Sequence, residues 1–385
     1  MIAWLLISFF VLLFLGVPIA MSLGLSAMGG ILFLGGGSTV TIAQRMFEGM
    51  NSFALLAIPL YTFAGFTMSK GGISKRLMDF CYSIVGHIYG GLAHVNVLSS
   101  MIFAGISGSA VADTAGVSGM FMPEMIRKGY SKNFTVAVTA ISSTIGIIIP
   151  PSIPMVVIAG ICGISTGKLF LGGIIPGILC GLAQMIVSYF LAKKEGVPKE
   201  PGHFTIGPVL HGLWESWPAL LMPIIIVGTI TMGIVSPTEA GVIAVVYGLF
   251  AGGIIYRELK WEDIKFAFAE TVRTSGRIFI VIGAAKLYTV MLTTAGFDKW
   301  VAKTMLGFST NPTVILIMIL LIFFIVTMFM ESIATLTLFM PILYPIALGV
   351  GINPIVLSVL ITVVIGIGLV TPPVGMCIYV ACDLM

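Results

Sequence analysis

Two short stretches, IIIPPSIP at 147–154 and LVTPPVG at 369–375, decide how the rest of the chain is interpreted. Each places a Pro-Pro pair inside a long apolar run that would otherwise continue as one helix. Proline lacks a backbone N–H and clashes with the preceding turn, so two in succession end a helix. The sequence therefore predicts two membrane helices that are broken in the same way.

The composition is that of an all-α polytopic membrane protein. Of 385 residues, 58% are hydrophobic and only 9% are charged, whereas a soluble domain carries about 25% charged residues. Long apolar runs favour spanning helices over a barrel. The sequence contains no basic patch that would indicate nucleic-acid binding and no phosphate-binding loop that would indicate ATP hydrolysis. Its five Cys are dispersed and predict no transition-metal site.

The apolar segments differ in kind along the chain. A retained first helix is predicted over 3–34, followed by an outer loop near 35–45. Segments 89–125 and 311–349 carry polar and small residues in their middle, which favours two re-entrant helical hairpins with buried tips. The broken helices cover about 133–162 and 355–382.

Polar and charged stretches set the expected orientation. A polar linker is predicted at 193–204, and an interfacial helix at 256–268. Lys and Arg cluster at 70–76, at 127–132 and within these two stretches. One orientation places all four clusters, and the N-terminus, on the cytoplasmic side of the inner membrane.

The two predicted hairpin segments, 89–125 and 311–349, resemble one another in sequence. VADTAGVSGMFMPEM (111–125) aligns without gaps with FMESIATLTLFMPIL (329–343), which places Asp113 opposite Glu331. One hairpin opens from each side, so the halves are predicted to be inverted repeats, a pattern typical of secondary transporters. The predicted divisions are an N-terminal scaffold, a first repeat, central scaffold helices and a second repeat, at 1–49, 50–162, 163–273 and 274–385.

The first tip and the first break together predict a sodium site. Glycines let the tip turn tightly, the break frees carbonyls, and hydroxyls add further hard oxygen ligands. Small residues that serve helix packing alone are the alternative reading. The predicted ligands of sodium site 1 are Ser107, Ser109, Asp113, Gly146, Ile149 and Pro151.

The repeat extends the same reasoning to the second half. Sodium site 2 is predicted where the second tip faces the second break. The predicted ligands are Thr327, Glu331, Ser332, Gly368, Thr371 and Pro373.

Ionisable groups inside membrane segments are functional candidates by default. Asp113 and Glu331 either set a negative potential for cations or are satisfied by backbone N–H groups at a helix start. Lys286 either attracts an anionic substrate or pairs with a carboxylate such as Glu331. Half-helix N-termini can receive a carboxylate. The candidate substrate-binding residues are Ser109, Ser152, Lys286, Thr335 and Gly375.

The stretch from Ala104 to Gly160, together with LLISFFVLLFLGVPIAMSLGLSA near the start and GLVTPPVGMCIYVA near the end, resembles the large membrane subunit of tripartite ATP-independent periplasmic (TRAP) transporters. The resemblance implies an ion-transporter fold that moves as an elevator, driven by Na⁺ and needing no other cofactor. It also implies two partners, a periplasmic substrate-binding protein and a small four-helix membrane subunit, and an organic-acid substrate such as a C4-dicarboxylate or sialic acid.

The leading hypothesis is therefore a Na⁺-driven, binding-protein-dependent importer of an organic acid, and not an enzyme. A stand-alone Na⁺-coupled carboxylate carrier is the nearest alternative, and a channel is a further one. GISGSA at 105–110 superficially resembles a nucleophile elbow, but it lacks the strand-turn-helix setting and a nearby His.

Overall fold

The computed structural model describes residues 1–34, 38–197 and 205–385, and these ranges contain helices but no strand. Helices satisfy their own backbone hydrogen bonds, as a lipid environment demands. The apolar composition and the long apolar helices are those of a multi-pass membrane protein. Six described helical stretches are long and apolar enough to span: Phe53–Lys70, Thr166–Lys194, Ile206–Thr231, Pro237–Ile255, Trp261–Thr294 and Ser332–Gly349.

The N-terminal region is more divided than the sequence predicted. Two helices, α1 (Ile2–Phe14) and α2 (Ile19–Leu34), replace the single helix expected over 3–34. Gly16 adopts a positive φ of 81°, and Pro18 follows it. These residues end α1 and start a second helix that packs back on the first.

The predicted outer loop near 35–45 is helical for much of its length. Helix α3 (Thr39–Met50) starts at Ser38, whose side chain accepts a hydrogen bond from the Val40 N–H. Residues 35–37 of the predicted loop lie outside the described residues. The loop was therefore predicted too long, because an amphipathic helix of this size leaves only a weak hydropathy signal.

The first half continues through a turn-rich hairpin and the first broken helix. The chain reverses at Gly108 and Ser109, and it breaks again between Ile148 and Ser152. The helices are α4 (Ala57–Lys70), α5 (Ile73–Val85), α6 (Gly91–Ser107), α7 (Ala110–Asp113), α8 (Gly119–Arg127), α9 (Lys132–Ser143) and α10 (Ile153–Cys162). A π-helical turn, Thr114–Ser118, joins α7 to α8, and a 3₁₀ turn, Thr144–Ile147, extends α9.

The central part consists of long helices. They are α11 (Thr166–Lys194), α12 (Ile206–Thr231), α13 (Pro237–Phe250) and α14 (Trp261–Thr294). The predicted interfacial helix at 256–268 is not separate, since α14 runs on for 34 residues, about 51 Å at 1.5 Å per residue. Its span contains no Pro. Residues 198–204 of the predicted linker lie outside the described residues.

The second half repeats the pattern of a turn followed by a break. The helices are α15 (Phe297–Phe308), α16 (Pro312–Thr327), α17 (Ser332–Gly349), α18 (Pro354–Gly368) and α19 (Met376–Asp383). The chain turns between Thr327 and Ser332, and α16 packs against α17. The break between α18 and α19 spans 369–375.

Packing brings the turns and breaks to the interior of the molecule. The larger apolar core joins residues of both turn-containing regions and both broken helices. A smaller core joins α1, α2 and α14 to one side of α17, through residues such as Ala334 and Leu338. Helix α17 therefore lies between the two cores, with α10 on one side and α14 on another.

Candidate functional site

The first tip is bonded directly to the first break. The Gly108 carbonyl accepts a hydrogen bond of 3.1 Å from the Ile153 N–H, which follows the Pro-Pro pair. Gly108 has a φ of 64°, and a Cβ on it would lie 2.6 Å from the Pro151 carbonyl oxygen. Only glycine fits this approach, because it tolerates positive φ and has no side chain.

Hydroxyl groups surround this contact. Ser109 caps α7 by accepting from the Ala112 N–H at 3.4 Å, and a Cβ on Gly146 would lie 3.4 Å from the Ser109 carbonyl. Ser152 caps α10, and its hydroxyl donates to the Ile147 carbonyl at 2.5 Å. Ser107 is 5% exposed, and its hydroxyl has no hydrogen-bond partner among the described residues.

Most residues predicted for sodium site 1 therefore lie together, but not all in the expected way. The side chain of Ile149 packs against Gly177 of α11, so its backbone is the part that remains for a ligand role. Asp113 is fully buried and ends α7, one turn inside the helix that Ser109 caps. The sequence did not predict that Asp113 would lie at the opposite end of α7 from the capping Ser109.

The second tip makes an equivalent backbone contact. The Met328 carbonyl accepts a hydrogen bond of 3.1 Å from the Val374 N–H, just after Pro373. A Cβ on Gly368 would lie 2.5 Å from the Thr327 hydroxyl oxygen, and Thr327 itself is 2% exposed. Of the residues predicted for sodium site 2, Thr327 and Gly368 therefore lie in contact, and Pro373 directly precedes the backbone hydrogen bond between tip and break.

Glu331 caps α17. Its carboxylate accepts from the Ile333 N–H at 2.9 Å, the Ala334 N–H at 3.3 Å and the Ser332 hydroxyl at 2.8 Å. The gapless alignment placed Glu331 opposite Asp113, but in the structure Ser109 holds the equivalent capping position. The two tips differ in length after their turns, because α7 and the π-helical turn precede α8.

The remaining candidates lie in different places. Thr335 is fully buried and donates to the Glu331 carbonyl at 3.1 Å. Thr371 donates to the Ile367 carbonyl at 2.7 Å. Gly375, with a φ of 55°, begins α19 without a capping side chain.

Lys286 does not form an ion pair with Glu331. Its side chain packs on α3, where a Cβ on Gly49 would lie 2.6 Å from the Lys286 Cβ. The hydrogen bond and charge of Arg45, and to a smaller extent the charge of Lys286, hold the pKa of the exposed Glu48 carboxyl below its ordinary value. The charge of Lys286 therefore acts on a carboxylate of α3.

Two buried polar groups were missed by the sequence analysis. Asn96 donates to the Thr139 hydroxyl at 3.0 Å and accepts from the Ser142 hydroxyl at 3.2 Å, linking α6 to α9. The Cys377 thiol lies against the hydroxyls of Thr114 and Ser143. Asn96 could have been found, because an Asn within an apolar segment is itself a signal. The surroundings of Cys377 depend on contacts with residues distant in sequence.

The arrangement offers oxygen ligands and helix ends within a largely apolar interior. Carbonyl, hydroxyl and carboxylate oxygens suit hard cations rather than soft transition metals. The buried Ser107 hydroxyl, which finds no partner within the described part of the chain, is a group that a bound cation would satisfy. The residues present therefore fit Na⁺.

The sequence matches the family model described as the tripartite ATP-independent periplasmic transporter, DctM component, over residues 6–385. Three similar proteins illustrate the match. The isethionate TRAP transporter permease protein DctMQ of Oleidesulfovibrio alaskensis is 38% identical over 97% of this chain, which spans only 59% of that protein. The sialic acid large permease SiaM of Vibrio cholerae is 36% identical, over 96% of this chain and 86% of its own length. The C4-dicarboxylate large permease DctM of Pseudomonas aeruginosa is 37% identical, over 93% and 84% respectively.

Two solved structures share the fold at low identity. The YdaH transporter of Alcanivorax borkumensis superimposes with a TM-score of 0.59 at 13% identity, over 89% of this chain and 80% of that one. MtrF of Neisseria gonorrhoeae gives the same TM-score and identity, over 90% and 77%. These likenesses concern the fold alone.

Proposed function

The chain belongs to the DctM-component family of tripartite ATP-independent periplasmic transporters, and we propose that it is the large permease subunit of a Na⁺-driven importer of a small organic acid. Transport would follow an elevator motion of the two tips and the two broken helices, which form inverted repeats. The protein would lie in the bacterial inner membrane with its N-terminus in the cytoplasm.

One observation carries the proposal. Each tip accepts a backbone hydrogen bond from the residues that follow a Pro-Pro pair, at Gly108 in one half and Met328 in the other. Backbone that departs from the helix at membrane depth is tolerated where it is buried in protein or lines a cavity. Two such meetings of tip and break support a transporter whose ligands bind at the midplane.

The oxygen groups beside each meeting support Na⁺ as the coupling ion. At site 1 they are those of Ser107, Ser109 and Asp113, with backbone carbonyls near Gly146 and Pro151. At site 2 they are those of Thr327, Ser332, Glu331 and Thr371, with carbonyls near Gly368 and Pro373. Bound Na⁺ would supply positive charge for an anionic substrate, while helix N-termini at Ser152 and Gly375 would orient its carboxylate.

Substrate and partners follow from the relatives. Their names include sialic acid, C4-dicarboxylate and isethionate, so the substrate proposed here is a small organic anion. This chain spans only 59% of the relative DctMQ, and the extra length of that relative supports a second, smaller membrane subunit as a partner. A periplasmic binding protein would deliver the substrate.

Uptake into proteoliposomes tests the proposal. The chain and its small partner are reconstituted, and uptake of labelled succinate and of labelled sialic acid is measured with and without the candidate binding protein. We expect uptake that requires both the binding protein and an inward Na⁺ gradient, with an equal choline gradient as the control. Uptake with Na⁺ alone would identify a stand-alone carrier instead. Uptake that neither saturates nor depends on Na⁺ would contradict the proposal.

A further inference from the structure

A small polar junction connects the two halves inside the protein. It consists of Thr114, Ser143 and Cys377, each with no exposed surface. Thr114 starts the π-helical turn after the first tip, Ser143 ends α9, and Cys377 lies in the first turn of α19. Three segments far apart in sequence thus place their polar atoms together.

The contacts of the junction are specific. The Thr114 hydroxyl lies 2.5 Å from the Ser143 hydroxyl and 2.9 Å from the Ala110 carbonyl. The Cys377 thiol interacts with both hydroxyls, and the Asp113 carboxylate is near enough to act on the thiol electrostatically. A buried polar network of this kind fixes the relative position of the segments that contribute to it.

The junction borders both proposed sodium sites. On one side, Thr114 directly follows Asp113, and Ser143 precedes Gly146 by three residues. On the other, Cys377 follows Gly375 by two residues, and its N–H donates to the Leu369 carbonyl at 3.1 Å across the second break. Helix α19 has no capping side chain at its start, and its buried residues, Cys377 and Ala381, face α9 and the π-helical turn.

We propose that Cys377, Thr114 and Ser143 are positioning residues that couple the two sodium sites, an inference that rests on the proposed function. A cation beside Asp113 changes the charge next to the junction. The junction then shifts α19, whose start borders the second site. Coupling of this kind is reciprocal and typically changes affinity by about 5–150-fold.

A sodium titration of the purified full-length chain tests the coupling without knowledge of the substrate. The melting temperature Tm is followed as NaCl replaces choline chloride at constant ionic strength, since a ligand that binds the folded state raises Tm. We expect a cooperative titration for the unmodified protein. Cys377→Val should lose the cooperativity and raise the half-saturating Na⁺ concentration at least about fivefold, while Cys377→Ser should retain both.

Two further variants make the outcome decisive. Cys180→Val, at a half-buried thiol on α11 away from the junction, should titrate like the unmodified protein. Thr114→Val removes the central hydroxyl with little change of volume, and it should reproduce the loss if Cys377→Val does not fold. An unchanged titration in both junction variants, or Cys377→Ser behaving like Cys377→Val, would overturn the coupling. If the unmodified protein shows no Na⁺ response at all, the proposed function itself fails.

Discussion

The two Pro-Pro breaks have nearly the same sequence but opposite surroundings. Pro150, Pro151 and Ser152 are buried, whereas Pro372, Pro373 and Val374 are exposed. The first break is covered by α11, where a Cβ on Gly173 would lie 2.5 Å from the Ile148 carbonyl. No described helix covers the second break in the same way. The comparison teaches that a helix-breaking motif determines where the chain departs from a helix but not what surrounds the departure.

The tips differ in a related respect. The first is capped by a neutral hydroxyl, through one hydrogen bond of 3.4 Å to Ser109. The second is capped by the Glu331 carboxylate, which accepts three hydrogen bonds. The buried break thus faces a weakly capped tip, and the exposed break faces a strongly capped, charged one. We therefore expect substitutions in the two halves to differ in their effects on stability and on the Na⁺ response.

The largest effect is expected at the buried break. Gly108→Ala should lower Tm and abolish Na⁺-driven uptake, because a Cβ there would meet the Pro151 carbonyl at 2.6 Å and positive φ costs a non-glycine residue about 1–2 kcal/mol. Gly163→Ala is the matched control, since Gly163 has a φ of 66° and no atom of a described residue lies within 4 Å of its Cβ position. Equal losses in both variants would show that backbone strain, and not the contact between tip and break, is responsible.

A smaller loss is expected at the second break. The Cβ of Gly368→Ala would lie 2.6 Å from the Thr327 Cβ, and such overpacking typically costs about 1–3 kcal/mol. Denaturant or thermal unfolding measures this loss, and proteoliposome uptake measures its effect on transport. Gly366→Ala is the control, because its Cβ would lie at an ordinary 3.5 Å from Thr144. A Gly368→Ala variant as stable and active as Gly366→Ala would show that the exposed break adapts freely.

Loss of the charged cap should cost less stability but alter the sodium response. Glu331→Ala and Asn353→Ala each remove a side chain that accepts from two backbone N–H groups at a helix start. Each should lower the free energy of unfolding by about 1 kcal/mol. Only Glu331→Ala should also weaken the rise of Tm with NaCl. The same Na⁺ response in both would remove Glu331 from sodium site 2.

The smallest effect is expected from the neutral cap of the first tip. Ser109→Ala loses one long hydrogen bond, so its cost in stability should stay below about 1 kcal/mol. Ser165→Ala is the control, because Ser165 caps α11 through one bond of 3.3 Å to the Lys168 N–H. The two variants should differ in their Na⁺ titrations. The half-saturating Na⁺ concentration should rise in Ser109→Ala and stay unchanged in Ser165→Ala. Matching titrations would restrict Ser109 to a structural role.

Much of the candidate site was accessible from sequence because its signals are local. Proline pairs end helices, glycines permit the turn at Gly108, and an ionisable residue in an apolar run stands out. The errors concern weak local signals. The Gly16–Pro18 turn was passed over inside an apolar run, and α14 was divided because charge was taken as a boundary.

The pairing of the repeats shows the limit of alignment. Identical letters in FMP placed Asp113 opposite Glu331, yet the capping roles fall to Ser109 and Glu331. Alignment compares residue types, while a cap depends on where the backbone turns. The π-helical turn after Asp113, which shifts that register, carries no distinctive sequence signal.

The sequence by itself determined that the chain is helical, that it spans a membrane and that two of its helices break at proline pairs. These properties depend on hydropathy and on backbone sterics, which act over a few residues. The tertiary structure alone decided that one break is buried and the other exposed, that the Lys286 side chain packs against α3, and that Cys377 meets Thr114 and Ser143. These properties depend on packing between segments distant in the chain, where burial and contact are set by the whole fold.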